Sequence, residues 1–114
     1  MIDSVANHFD KSESMVKDIY VQLLSMVREF GNVKEEPKQT CIHWVYAKAF
    51  LGVFIRKNYL NVRFRVDAKL VSPKFTKTEQ ISKNRFLHTI KLESVEDIDE
   101  DLKGWLKRAH ALAG

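Results

Sequence analysis

A single cysteine, Cys41, occurs in 114 residues, so no internal disulfide framework can form. No apolar run approaches the roughly 20 residues that a membrane-spanning helix needs, and no membrane association is expected. Residues Met1 to Asp10 have neither a basic start nor an apolar stretch, so they do not read as a secretory signal. With one thiol and no leader, the expected setting is a reducing cytoplasm. The chain also lacks G-x-G-x-x-G, the P-loop, G-x-S-x-G, zinc-finger spacing and the glycine of a calcium loop. Ala49–Phe54 does not match the aromatic signature of the common four-stranded RNA-binding fold. No cofactor and no catalytic motif follow from these residues, and the chain is read as non-enzymatic.

An apolar fraction of 45% in one domain-sized chain excludes a disordered or fibrous protein. A chain of this size buries ~65% of its unfolded surface on folding, which is enough for a core without staples. The net charge of +4 is a sum of unlike parts. Residues 1–40 carry five basic and seven acidic residues, and residues 92–114 carry three and six. Between them, residues 41–91 carry eleven basic residues and only two acidic ones, Asp67 and Glu79. Eight of the twelve aromatic residues lie in the same stretch, so any electrostatic footprint is localised there.

Residues 1–11 show no period and are expected to be a flexible segment ahead of one domain, 12–114. Met15, Val16, Ile19, Tyr20, Leu23, Leu24 and Val27 then make one wide apolar stripe of an α-helix. Asp10, Ser12 or Ser14 is placed to cap it, and Gly31 to end it in a left-handed conformation. Asn32 to Lys38 reads as a charged loop. Gln39–Ala47, Ala49–Arg56 and Tyr59–Asp67 read as strands, with Lys57-Asn58 a turn in which Asn58 tolerates positive φ. Tyr59–Asp67 sets Leu60, Val62, Phe64 and Val66 against Asn61, Arg63, Arg65 and Asp67, a half-buried strand with a solvated basic side.

Residues 68–84 are ambiguous, with short strands suggested near Val71 and at Gln80–Ser82, and with Phe75 and Ile81 packing down. Arg85–Leu92 is a further strand. A second helix follows, capped at Ser94–Asp97 or Asp97–Glu100, with Ile98, Leu102, Trp105, Leu106, Ala109 and Leu112 on its apolar side. The expected fold is α+β. One twisted, mainly antiparallel sheet of four to six short strands lies between an N-terminal and a C-terminal helix, both on one face.

The residues Lys38–Trp44 (KQTCIHW), Ala49–Val53 (AFLGV), Arg56–Leu60 (RKNYL) and Ser72–Lys77 (SPKFTK) resemble a bacterial family, domain of unknown function 5655. Arg85–His88 (RFLH), Ser94–Asp99 (SVEDID) and Trp105–Ala109 (WLKRA) extend the resemblance over roughly residues 15–112. It implies no activity. More distantly, the helix–sheet–helix order is similar to small frataxin-like domains, which implies either iron handling or DNA binding as an alternative.

Three groups are candidates for chemistry. Arg56, Lys57, Arg63, Arg65, Arg85 and Lys91 are placed to share one sheet face and to bind nucleic acid or a phosphate-bearing ligand, with Phe54 or Tyr59 nearby for stacking. Cys41 and His43 share a strand face, with His88 set across from them and Trp44 the better of the two tryptophans for lining a pocket. The acidic run Glu93, Glu96, Asp97, Asp99, Glu100 and Asp101 matches helix capping, and by the frataxin-like analogy an iron surface. The expected function is therefore a binding domain with a basic sheet face. Metal handling or a protein-interaction surface are the alternatives, and no oligomeric state follows from the pattern.

Overall fold

The computed structural model describes residues 5–10 and 12–114. Of the segment 1–11, set apart above as flexible, residues 1–4 and 11 lie outside the described residues. Ala6–Phe9 is a short 3-10 turn, and the Phe9 ring meets Tyr20 edge-on at 5.1 Å between centroids.

The long helix α1 spans Ser14–Arg28. Val16, Ile19, Tyr20, Leu23, Leu24 and Val27 are buried as the 3.6-residue period requires, whereas Met15 at the stripe's start is 39% exposed. None of the three suggested caps acts. The N-cap is Glu13 without a side-chain bond, and its backbone N–H is instead held by the Lys57 carbonyl at 2.7 Å. Gly31 lies beyond the helix end at φ +143°, and a Cβ there would approach the His110 ring to 3.1 Å. It is glycine because both the backbone angle and the histidine leave no room for a side chain.

Six strands follow: β1 Lys34–Pro37, β2 Ile42–Val45, β3 Ala49–Ile55, β4 Leu60–Val66, β5 Phe75–Ser82 and β6 Arg85–Leu92. They form one antiparallel sheet in the order β1-β2-β3-β4-β6-β5. The segment read as a charged loop is thus partly strand β1. Its pairing with β2 brings Glu35 opposite Trp44, and an edge position tolerates Pro37. The Lys57-Asn58 turn forms, but no non-glycine described residue has positive φ, so Asn58 does not use its left-handed tolerance. Residues 68–84 hold one eight-residue strand rather than two short ones. Val71 is 91% exposed outside any strand, and Ile81 is pushed outward where the β5 register shifts. Such irregularities, at Thr76 and Ile81, blunt the β5 edge against pairing with other chains.

Two members of the acidic run, Asp97 and Asp99, act as caps. Ser94 and Asp97 form a reciprocal capping box around the turn Val95–Asp97. Asp99 caps helix α2, Glu100–Leu112, by accepting the Leu102 N–H at 3.0 Å, and also pairs with Lys74. Lys74 holds the Asp99 carboxyl below the usual carboxylate range.

Both helices pack on one side of the sheet, where Leu102, Leu106 and Ala109 of α2 join the α1 stripe over Ile42, Trp44, Val53, Val62 and Phe64. One polar chain crosses this core. The Trp44 indole N–H donates to the Tyr20 hydroxyl at 3.0 Å, which donates to Glu35 Oε1 at 2.5 Å. Burial, then the bond to Glu35, pushes the Tyr20 phenol well above its ordinary value, so it stays a donor. Tyr20→Phe strands a buried indole N–H, and urea unfolding is expected to show a loss of about 1–3 kcal/mol. A change below about 0.5 kcal/mol would mean that the chain of bonds adds nothing.

Candidate functional site

Among the described residues, no helix lies on the other side of the sheet. Strand alternation sends Gly52 and Phe54 of β3, Asn61, Arg63 and Arg65 of β4, and Leu87, Thr89 and Lys91 of β6 to this open side. The register then sets them in rows across the sheet. His43, Gly52, Arg63, Thr89 and Lys77 form one row. Phe54, Asn61 and Lys91 form the next toward the β3–β4 turn, and Arg65, Leu87 and Glu79 the next in the other direction.

The centre is a depression of about 120 Å³ whose lining includes His43, Gly52, Phe54, Arg63, Arg65 and Leu87. It exists because Gly52 has no side chain. A Cβ there would sit at ordinary contact distance from Phe54 (3.5 Å) and His43 (4.0 Å), so the fold does not demand the glycine. Two guanidinium groups flank Phe54, with Arg63 at 5.5 Å and Arg56 at 6.0 Å from the ring centroid.

None of Arg56, Lys57, Arg63, Arg65 or Arg85 is paired with a carboxylate among the described residues. Two carboxylates on this side lie on the edge strands and are taken up locally. Glu36 of β1 lies 4.0 Å from Lys34 and 3.6 Å from Lys38, and Glu79 of β5 lies 2.5 Å from Lys77. The three inner strands β3, β4 and β6 therefore present cations with no acid among them.

The six basic residues singled out in the sequence do not act alike. Arg63 and Arg65 share the central depression. Arg56 lines a second depression of about 340 Å³ on one side, and Arg85 lines a third of about 310 Å³ on the other. Lys57 sits exposed in the β3–β4 turn. Lys91 turns toward the Tyr59 ring, 4.4 Å from its centroid, and lies 3.9 Å from Glu93.

Of the three pocket-lining residues, His43 belongs to this surface, and Trp44 and His88 are corrected to the opposite side. Trp44 is fully buried against α1. His88 pairs with Phe64 in register, is fully buried, and accepts the Leu70 N–H at Nε2. Its parity with Phe86, Ile90 and Leu92 was the signal that assigns it to the core. Cys41 is buried, and that burial pushes its thiol up, away from the thiolate that metal or nucleophile chemistry requires. No set of three metal-ligating side chains gathers among the described residues. Lys48, Lys77, Leu87 and Thr89 also line the surface, and sequence reasoning passed over them because their position depends on register between strands.

This arrangement defines a small α+β domain with a two-helix layer on one side of its sheet and an opposite side that carries Arg63 and Arg65. The family described as a domain of unknown function (DUF5655) matches residues 5–113, and the chain belongs to that family. No curated protein and no solved structure matches it. No helix among the described residues is long and apolar enough to cross a membrane.

Proposed function

We propose that this chain is a non-enzymatic binding domain whose open sheet face engages an anionic partner through Arg63 and Arg65. The observation that carries this reading is their shared glycine-floored depression on inner strands free of carboxylates. A guanidinium offers a fork of donors that matches phosphate oxygens, and the half-buried Arg63 is screened less than the exposed Arg65. The iron-handling alternative has no comparable support, because Asp97 and Asp99 are committed to caps and Asp99 and Asp101 face Lys74.

The test is calorimetric titration with inorganic tripolyphosphate at 50 and 200 mM salt. Binding is expected to weaken with salt. Charge-assisted hydrogen bonds contribute about 1.5–3 kcal/mol each, so the Arg63→Ala, Arg65→Ala double variant, which loses at least two, is expected to bind at least about 100-fold more weakly. Its thermal midpoint is expected to stay near that of the parent, because neither side chain belongs to the core. Absence of salt-dependent binding by the parent protein to tripolyphosphate and to oligonucleotides alike would refute the reading.

A further inference from the structure

We infer that the ligand of this face is a single strand of nucleic acid, laid along β3 and β4 with one base seated over Gly52. This rests on the anion-binding reading and narrows it to one ligand class.

The three depressions are contiguous. Phe54 and Arg63 line both the central one and the one at the β3–β4 turn. Phe50 and Arg65 line both the central one and the one at the far end, which Lys48 and Arg85 complete and which turns over the end of the sheet, where Ala109, Leu112 and Ala113 also line it. The result is one groove parallel to β4, whose seven residues extend about 20 Å at ~3.3 Å per residue. A compact phosphate ligand would occupy one depression and leave two unused. A linear polyanion uses all three.

The cations are also spaced rather than clustered. Arg63 and Arg65 are separated by one strand repeat, about 6.7 Å, with Arg56 beyond one and Arg85 beyond the other. Fork-like donors strung out singly suit successive phosphates better than they suit one phosphate group, which is bound best by donors converging on a point.

Between the cations lie flat apolar surfaces. Phe54 is half-buried with the Arg56 and Arg63 guanidiniums over its ring, a base stacks there by displacing one of them toward its own phosphate, and Leu87 and His43 wall the hollow beside it. A polyphosphate or a sulfated sugar has no planar group for that hollow. A duplex keeps its bases stacked on one another, so it would reach the arginines and leave Phe54 and the hollow unfilled unless it paid for unstacking. Only a single strand supplies separate charges and free base faces together. Few side-chain hydrogen-bonding groups line the groove floor, chiefly Asn61 and Thr89. Sequence preference is therefore expected to be weak, and the site size about four nucleotides, the low end for a sheet-based single-strand binder.

Fluorescence anisotropy of the full chain with labelled 12-nucleotide oligo(U) and oligo(dT), a 12-base-pair duplex, and competing UMP and inorganic phosphate tests this. The expected result is binding of both single strands, a duplex bound at least about 10-fold more weakly, and a log K against log salt slope near −3 for four neutralised phosphates. Phe54→Leu and Gly52→Ala, the latter adding a Cβ at ordinary contact distance from its neighbours, are each expected to weaken single-strand binding about 5- to 100-fold with the salt slope and the thermal midpoint unchanged. Arg63→Ala is expected to reduce the slope's magnitude by about 0.7. A duplex bound as tightly as the single strands, or UMP competing as well as a 12-mer, overturns the single-strand inference and leaves the anionic site standing. Failure of every probe, tripolyphosphate included, overturns both.

Discussion

Phe64→Ala is expected to cost about 3–5 kcal/mol of folding free energy. That is a large part of the roughly 5–15 kcal/mol that separates a folded domain from its unfolded chain. The residue is fully buried at the middle of β4, and its ring stacks on His88 at 5.3 Å and lies 6.0 Å from Phe75 and 6.3 Å from Trp105. Truncation opens a cavity walled by three other rings, and rings held by strands and a helix collapse into it poorly. The same strand carries Arg63 and Arg65 on its other side, so the stability of the core and the geometry of the groove meet in β4. Urea unfolding followed by tryptophan fluorescence measures the loss, and Phe64→Leu, which keeps most of the volume, is expected to cost less than half as much. A loss below about 1 kcal/mol for the alanine variant would show that the aromatic cluster does not anchor the sheet.

Acid is expected to weaken the fold through His88 before the carboxylates titrate. The ring is fully buried between Phe64 and Phe75, and desolvation holds its pKa below the ordinary 6.5. Nε2 accepts the Leu70 N–H, so the neutral ring carries its proton on Nδ1, which has no partner among the described residues. Protonation would place a second N–H against that of Leu70 and a charge among aromatic rings. With the folded pKa depressed, the unfolded chain takes up the proton first. The full contribution is therefore present above pH 6.5 and is lost as pH falls from 6.5 toward the folded value, by at most about 1.4 kcal/mol per pH unit. His88→Gln, whose amide oxygen can accept the Leu70 N–H, is expected to flatten the stability profile between pH 6.5 and 5. Parallel profiles for parent and variant would assign the acid sensitivity elsewhere.

Strand β4 was legible residue by residue, because one side of it is buried and the other wet, and a period of two cannot be satisfied any other way. The helices were legible for the same reason at a period of 3.6, and so was the Ser94–Asp97 cap ahead of the second, although the cap of α1 was not, since α1 is started by a tertiary bond from the Lys57 carbonyl rather than by a neighbouring side chain. Strand β1 escaped notice because Lys-Glu-Glu-Pro has no strand pattern of its own. Its conformation comes from pairing with β2 and is accompanied by the tie from Glu35 to Tyr20. Strand β5 escaped because neither of its sides is deeply buried and two register shifts break its alternation.

The candidate site divides along the same line. That Arg63 and Arg65 lie on one side of a strand follows from the chain alone, because alternation is a local property of extended backbone. That the inner strands carry the arginines while Glu36 and Glu79 are banished to the edges follows from strand order, and in particular from β6 rather than β5 lying beside β4. The hollow over Gly52 and its flanking by Phe54 and Arg63 follow from register, which brings together residues eleven positions apart in the chain. The sequence alone determined the fold class and the basic character of the middle strands, since both depend on periodicity and composition. Only the tertiary structure decided which cations share a groove and that His88 belongs to the core, because neighbours across a sheet are set by pairing between segments and not by spacing within one.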